Sequence, residues 1–74
     1  MENENIETIQ VSNSSMISTI DYDNDSKEMT VTFKNGNQYK YFDVPREEFE
    51  ALRQSESIGS YFNKIKSKYQ FEKI

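Results

Sequence analysis

The chain contains no cysteine and no histidine, which excludes a disulfide framework, thiolate chemistry and the commonest zinc ligand sets. At 74 residues it has room for one domain, and a chain this short buries only about 60% of its unfolded surface on folding. With no covalent or metal staple, packing or self-association must supply the stability. Glycine is scarce: Gly36 and Gly59 stand alone, so neither a phosphate-binding glycine loop nor a dinucleotide fingerprint is present. Long apolar runs are missing as well. The longest stretches fall far short of the roughly 20 residues of a membrane helix, and the opening MENENIETIQ is acidic where a secretory signal is basic and then apolar. Together these absences predict a small cytoplasmic domain with no membrane partner.

Charge is present but uneven. The net charge is −4, which opposes sequence-independent binding to a polyanion. Seven acidic residues against Lys27 lie in residues 1–30, so residues 31–74 carry a net +2. Lys64, Lys66, Lys68 and Lys73 against Glu72 make the C-terminal part positive.

Residues 1–10 are acidic and polar with isolated Ile6 and Ile9 and read as a flexible N-terminal tail, leaving 11–74 as the domain. Ile17–Tyr22 reads as a strand entering the turn Asp23-Asn24-Asp25-Ser26. Glu28–Lys34 alternates strictly, with Met29, Val31 and Phe33 on one face. Asn35-Gly36 signals a hairpin, and Gln38–Phe42 returns as a third strand. A three-residue loop over 34–36, with Gly36 at the left-handed position, sets Val31 opposite Tyr39 and Met29 opposite Tyr41 and leaves Lys40 outside. Pro45, followed by Glu47 and Glu48, opens a short helix to about Gln54 that buries Phe49 and Leu52. A second helix carries Tyr61, Phe62, Ile65 and Tyr69 on one side and Lys64, Lys66 and Lys68 on the more polar side, after a cap at Ser57. Gly59 within it costs about 1 kcal/mol relative to Ala and predicts a close backbone approach. The expected fold is α+β: a three-stranded antiparallel β-meander followed by two short helices packed on one face of the sheet.

The string Ser14-Ser15, Ile20-x-Tyr22-Asp23, Val31-x-Phe33-x-Asn35-Gly36-x-x-Tyr39-x-Tyr41-x-x-Val44-Pro45 and Ser57-x-Gly59-x-Tyr61-Phe62-Asn63 resembles the KTSC domain over residues 11–70. That family is named after the C-terminus of some lysyl-tRNA synthetases and otherwise occurs as short stand-alone bacterial or phage proteins. Its central Tyr-x-Tyr motif is matched by Tyr39-Lys40-Tyr41, while Asp21 stands where the family has a small residue. The resemblance implies a link to RNA.

Tyr39 and Tyr41 have two readings, a base-stacking platform or core packing over Val31 and Met29. The lysines have two as well, a phosphate track with Lys40 and Lys34 or a solvated helix end. Asp21, Asp23, Asp25 and Glu28 lack the spacing of a calcium loop and read as a solvated turn. Ser57, Ser60, Tyr61 and Asn63 lack a companion base, so no enzymatic activity and no cofactor are expected. The leading expectation is a non-enzymatic module binding RNA or a nucleotide-type ligand through Tyr39, Lys40, Tyr41, Tyr61, Asn63, Lys64 and Lys68. The alternative is a homo-oligomeric phage or host accessory protein that sequesters a small anionic signalling ligand or a partner protein.

Overall fold

The computed structural model describes residues 5–12 and 14–74. Its elements run β1 (Ile6–Gln10), β2 (Ile17–Asp23), β3 (Glu28–Phe33), β4 (Gln38–Tyr41), α1 (Arg46–Gln54), α2 (Ile58–Ile65), a 3₁₀ turn (Lys66–Lys68) and β5 (Phe71–Lys73). The strands form one five-stranded sheet in sequence order, every neighbouring pair antiparallel.

The α+β class and both helices agree with the sequence; the three-stranded meander does not. The sheet gains a strand at each edge. Residues 6–10 of the expected tail form β1, pairing Ile9 with Ile20 and Glu7 with Tyr22; residues 1–4 lie outside the described residues. Alternation in β1 is broken because Glu7 occupies an inward row, and a charge there needs a partner that the local sequence does not supply. Arg46 supplies it from α1, donating to Glu7 Oε2 at 2.6 Å and to Glu50 at 2.6 Å. At the other edge, β5 pairs Phe71 with Tyr41 and Lys73 with Tyr39. All three of its residues are exposed, so no burial pattern marks it.

The central hairpin has the expected register and loop, with each strand one residue shorter than the sequence suggested. Val31 pairs with Tyr39 and Met29 with Tyr41. Gly36 takes φ +96°, and its amide donates to the Phe33 carbonyl at 2.9 Å, closing the three-residue loop. In the preceding turn, Asp23 Oδ1 accepts from the amides of Asp25 and Ser26, so this carboxylate serves the backbone.

Both helices cover the inner face. In α1, Phe49 and Leu52 are fully buried, each contributing about 1.5–3 kcal/mol of apolar transfer. Pro45 is the N-cap rather than the first helical residue. Tyr22, also fully buried, stacks on Phe49 with centroids 4.7 Å apart and donates its hydroxyl to the Val44 carbonyl at 2.6 Å. Helix α2 buries Ile58, Phe62 and Ile65, with Ser57 Oγ accepting from the Ser60 amide at 3.4 Å. It ends earlier than its apolar period suggested: Tyr69 lies beyond the 3₁₀ turn in extended backbone. Gly59 is closely approached, though by a side chain rather than by backbone: a Cβ there would lie 3.1 Å from Ser14 Oγ.

No helix among the described residues is long and apolar enough to cross a membrane.

Candidate functional site

A groove of about 480 Å³ runs between the β3–β4 hairpin and the segment that follows α2. The inward rows of β3 and β4 place Phe33, Tyr39 and Tyr41 along one wall, α2 contributes Phe62, and β5 contributes Phe71. These five rings touch in sequence. Phe33 meets Tyr39 edge-on at 5.7 Å, Tyr39 meets Phe71 at 5.8 Å, Phe71 meets Tyr41 at 5.4 Å, and Tyr41 meets Phe62 edge-on at 5.4 Å. Rings in edge contact hold each other in place and leave some faces turned outward. Burial pushes the Tyr41 hydroxyl above the usual phenol range, with Tyr39 adding to it. Phe71 is 56% exposed, a large apolar side chain left on the surface at the groove wall. Asn35, Asn37, Ser67 and Lys66 complete the polar lining.

Across Met16, Phe33, Phe62 and Lys66 the groove continues into a second hollow of about 250 Å³, lined by serines and Asn63. Among the described residues lining the two hollows none is acidic, and Lys66 is the one charge. In a protein of net charge −4, that is a local inversion of sign.

The residues proposed from the sequence do not gather in one place. Tyr39 and Tyr41 line the aromatic hollow and Asn63 the serine hollow. Lys40 lies on the opposite face of the sheet, 3.4 Å from Glu28. Tyr61 and Lys68 turn to Glu48: the Tyr61 hydroxyl donates to it at 2.7 Å, as does that of Tyr69 at 2.7 Å, and Lys68 Nζ lies 3.3 Å away. Burial alone raises the Glu48 carboxyl; the hydrogen bonds from Tyr69, Tyr61 and Lys68 outweigh it and hold the group below the usual carboxylate range. Burial and then the bond to Glu48 push the Tyr69 hydroxyl well above the usual phenol range. This carboxylate joins α1, α2 and the 3₁₀ turn and is a structural node. Lys64 is exposed and lines neither hollow.

The lysine run therefore does not converge. The break in the helix holds the reason: Lys64 lies on α2, whereas Lys66 and Lys68 lie in the 3₁₀ turn, where residues two apart point about 240° from one another, so Lys66 and Lys68 face different ways. Phe33 is legible as an inward ring, but its role as a shared wall depends on where α2 lands.

A family model for the KTSC domain matches residues 13–69. The chain belongs to the KTSC domain family. The crystal structure of a KTSC domain protein from Yersinia pestis superimposes with a TM-score of 0.82 at 32% identity, covering 93% of this chain and 97% of that one. A lysine–tRNA ligase of Nostoc punctiforme is 38% identical over 61 residues, 81% of this chain but 11% of the ligase. An uncharacterized protein of Stutzerimonas stutzeri is 35% identical over 52 residues, 70% of this chain and 73% of that protein. The KTSC match begins just before Ser14 and ends at Tyr69, so both hollows are built mainly from family sequence, with Phe71 of β5 added beyond it.

Proposed function

We propose that this KTSC protein is a non-enzymatic binding module whose groove takes a nucleotide-type ligand, with the base among the rings and the anionic group at Lys66. The observation that carries this reading is the five-ring wall beside one cation, with no carboxylate among the described lining residues. A volume of about 480 Å³ falls within the usual range for small-molecule sites, roughly 300–1,000 Å³. Stacking on such rings is worth about 1–3 kcal/mol per base. The same chemistry is offered by a free nucleotide or by an unpaired nucleotide of RNA, and the likeness to part of a lysine–tRNA ligase supports the second source. The proposed setting is the cytoplasm.

The test is calorimetric titration with AMP and with a short single-stranded oligoadenylate across a salt series. Lys66→Gln and Phe71→Ala each weaken binding about ten-fold. Because one lysine serves the groove, the salt dependence is shallow, with a log–log slope of about −0.7 for a single-stranded ligand. A slope several times steeper, or affinity insensitive to both substitutions, contradicts the groove as the site.

A second reading is favoured by the two open sheet edges. Among the described residues, strands β1 and β5 each lack a partner on one side, and Ile6, Phe71 and Ile74 are exposed there. Free edges of this kind invite pairing with another copy. On this reading the protein is a homo-oligomeric accessory protein that sequesters a small anionic ligand or a partner protein. Native mass spectrometry decides it: a strictly monomeric protein at high concentration removes the oligomer.

A further inference from the structure

The groove has two hollows, and a mononucleotide uses one. The serine hollow, at about 250 Å³, lies below the roughly 300 Å³ at which self-standing ligand sites begin, so it acts as an extension of its neighbour. The two share Met16, Phe33, Phe62 and Lys66, which puts the one cation at their junction. Their chemistries differ. One is walled by aromatic rings; the other is lined by Ser14, Ser15, Ser57, Ser60 and Asn63. Ser14 Oγ is already occupied by the amides of Met16 and Ile17, both at 3.1 Å, and Ser57 Oγ by the Ser60 amide. The side chains of Ser15, Ser60 and Asn63 make no hydrogen bond among the described residues and stand open to a hydroxyl- or amide-bearing ligand.

Resting on the nucleotide reading above, we infer that the full ligand is two nucleoside units joined by one phosphodiester. One base lies in the aromatic hollow, the second nucleoside lies against the serines and Asn63, and the linkage crosses at Lys66. Charge selects the linkage. A single phosphodiester carries one negative charge and matches one lysine, whereas a pyrophosphate or triphosphate carries more than the lining neutralises.

The experiment compares adenylyl-(3′→5′)-adenosine with AMP by calorimetry at low salt. Both ligands place a phosphate at Lys66, so that contact is common to the two; the two-hollow site favours the dinucleotide by about ten-fold or more, the equivalent of one further stacked or hydrogen-bonded nucleoside. Asn63→Phe and Ser60→Leu, at exposed positions on α2, fill the serine hollow and collapse that preference. A dinucleotide that binds no more tightly than AMP, or a preference that survives both substitutions, overturns the inference while leaving the mononucleotide reading intact. If neither ligand binds, the nucleotide reading itself falls and takes this inference with it. A short oligoadenylate supplies the arm for source: tighter binding than the dinucleotide marks a step within a strand, and exclusion of the oligomer marks a free dinucleotide, both with the two hollows filled.

Discussion

The rings of Phe33 and Phe62 meet at 66° with centroids 6.2 Å apart, and this contact joins the β3–β4 hairpin to α2. Phe62 is buried and Phe33 half-buried, so the pair anchors the helix on the sheet while both rings line both hollows. Position in the sheet produces this: Phe33 ends the inward row begun by Met29 and Val31, just past the edge of the covered core. A structural contact and a groove wall are here the same pair of side chains.

That dual use separates binding from stability by position. Phe71→Ala removes a ring that is 56% exposed and lowers nucleotide affinity about ten-fold while moving the melting temperature by only a few degrees. Phe62→Ala removes a buried ring and costs about 3–5 kcal/mol, enough to unfold much of a domain this small. Thermal denaturation of both variants beside a binding titration of the first checks the split; equal stability losses contradict it.

Glu48 gives a pH dependence with a definite sign. Its folded carboxyl titrates below the unfolded value, so its contribution is complete above the unfolded pKa of about 4.3 and is lost as pH falls through the folded value. Glu48→Gln, at a side chain 11% exposed, costs about 1–2 kcal/mol at pH 7 and flattens the acid limb of stability against pH. Tyr69 acts at the other end. Its raised hydroxyl contributes fully below the unfolded value of about 10 and declines as pH climbs toward the folded one; Tyr69→Phe makes the alkaline limb shallower and leaves the part owed to Tyr22, Tyr41 and Tyr61, which are raised as well. Melting temperatures measured from pH 3 to 11 read both limbs.

Gly59 reverses an ordinary rule. Gly→Ala inside a helix normally gains about 1 kcal/mol, but here the new methyl lies 3.1 Å from Ser14 Oγ, an oxygen held by two backbone amides. Because that oxygen must give by a few tenths of an ångström and stretches both bonds in doing so, Gly59→Ala lowers stability by about 1 kcal/mol instead. Denaturant unfolding supplies the number, and a net gain contradicts the contact.

Tyr22 tests the route from sheet to helix. Tyr22→Phe keeps the stack on Phe49 and deletes the hydroxyl that donates to the Val44 carbonyl, leaving a buried acceptor short of a partner. The expected loss is about 1–2 kcal/mol. An unchanged midpoint in urea contradicts the role assigned to that bond.

The elements legible in the sequence are those whose pattern is local. Asn35-Gly36 and the alternation of Met29, Val31 and Phe33 specify hairpin, register and ring direction within a dozen residues, and the inward direction of Tyr39 and Tyr41 follows from that register. Strand β1 is hidden because Glu7 sits in an inward row and is neutralised from α1. β5 is hidden because nothing in it is buried; only its pairing to β4 reveals it. In the site, the lysines mislead because cations close together in sequence suggest one patch. Lys68 answers Glu48, Lys40 answers Glu28, and Lys66 alone among the described lysines reaches the groove.

The most direct test of the central claim is an amide ¹H–¹⁵N titration of the whole chain with AMP. The expected perturbations concentrate at Asn35, Asn37, Tyr39, Phe62, Lys66 and Phe71, with the outer sheet face around Thr30 and Lys40 silent. Perturbations confined to that outer face, or none at millimolar nucleotide, contradict it.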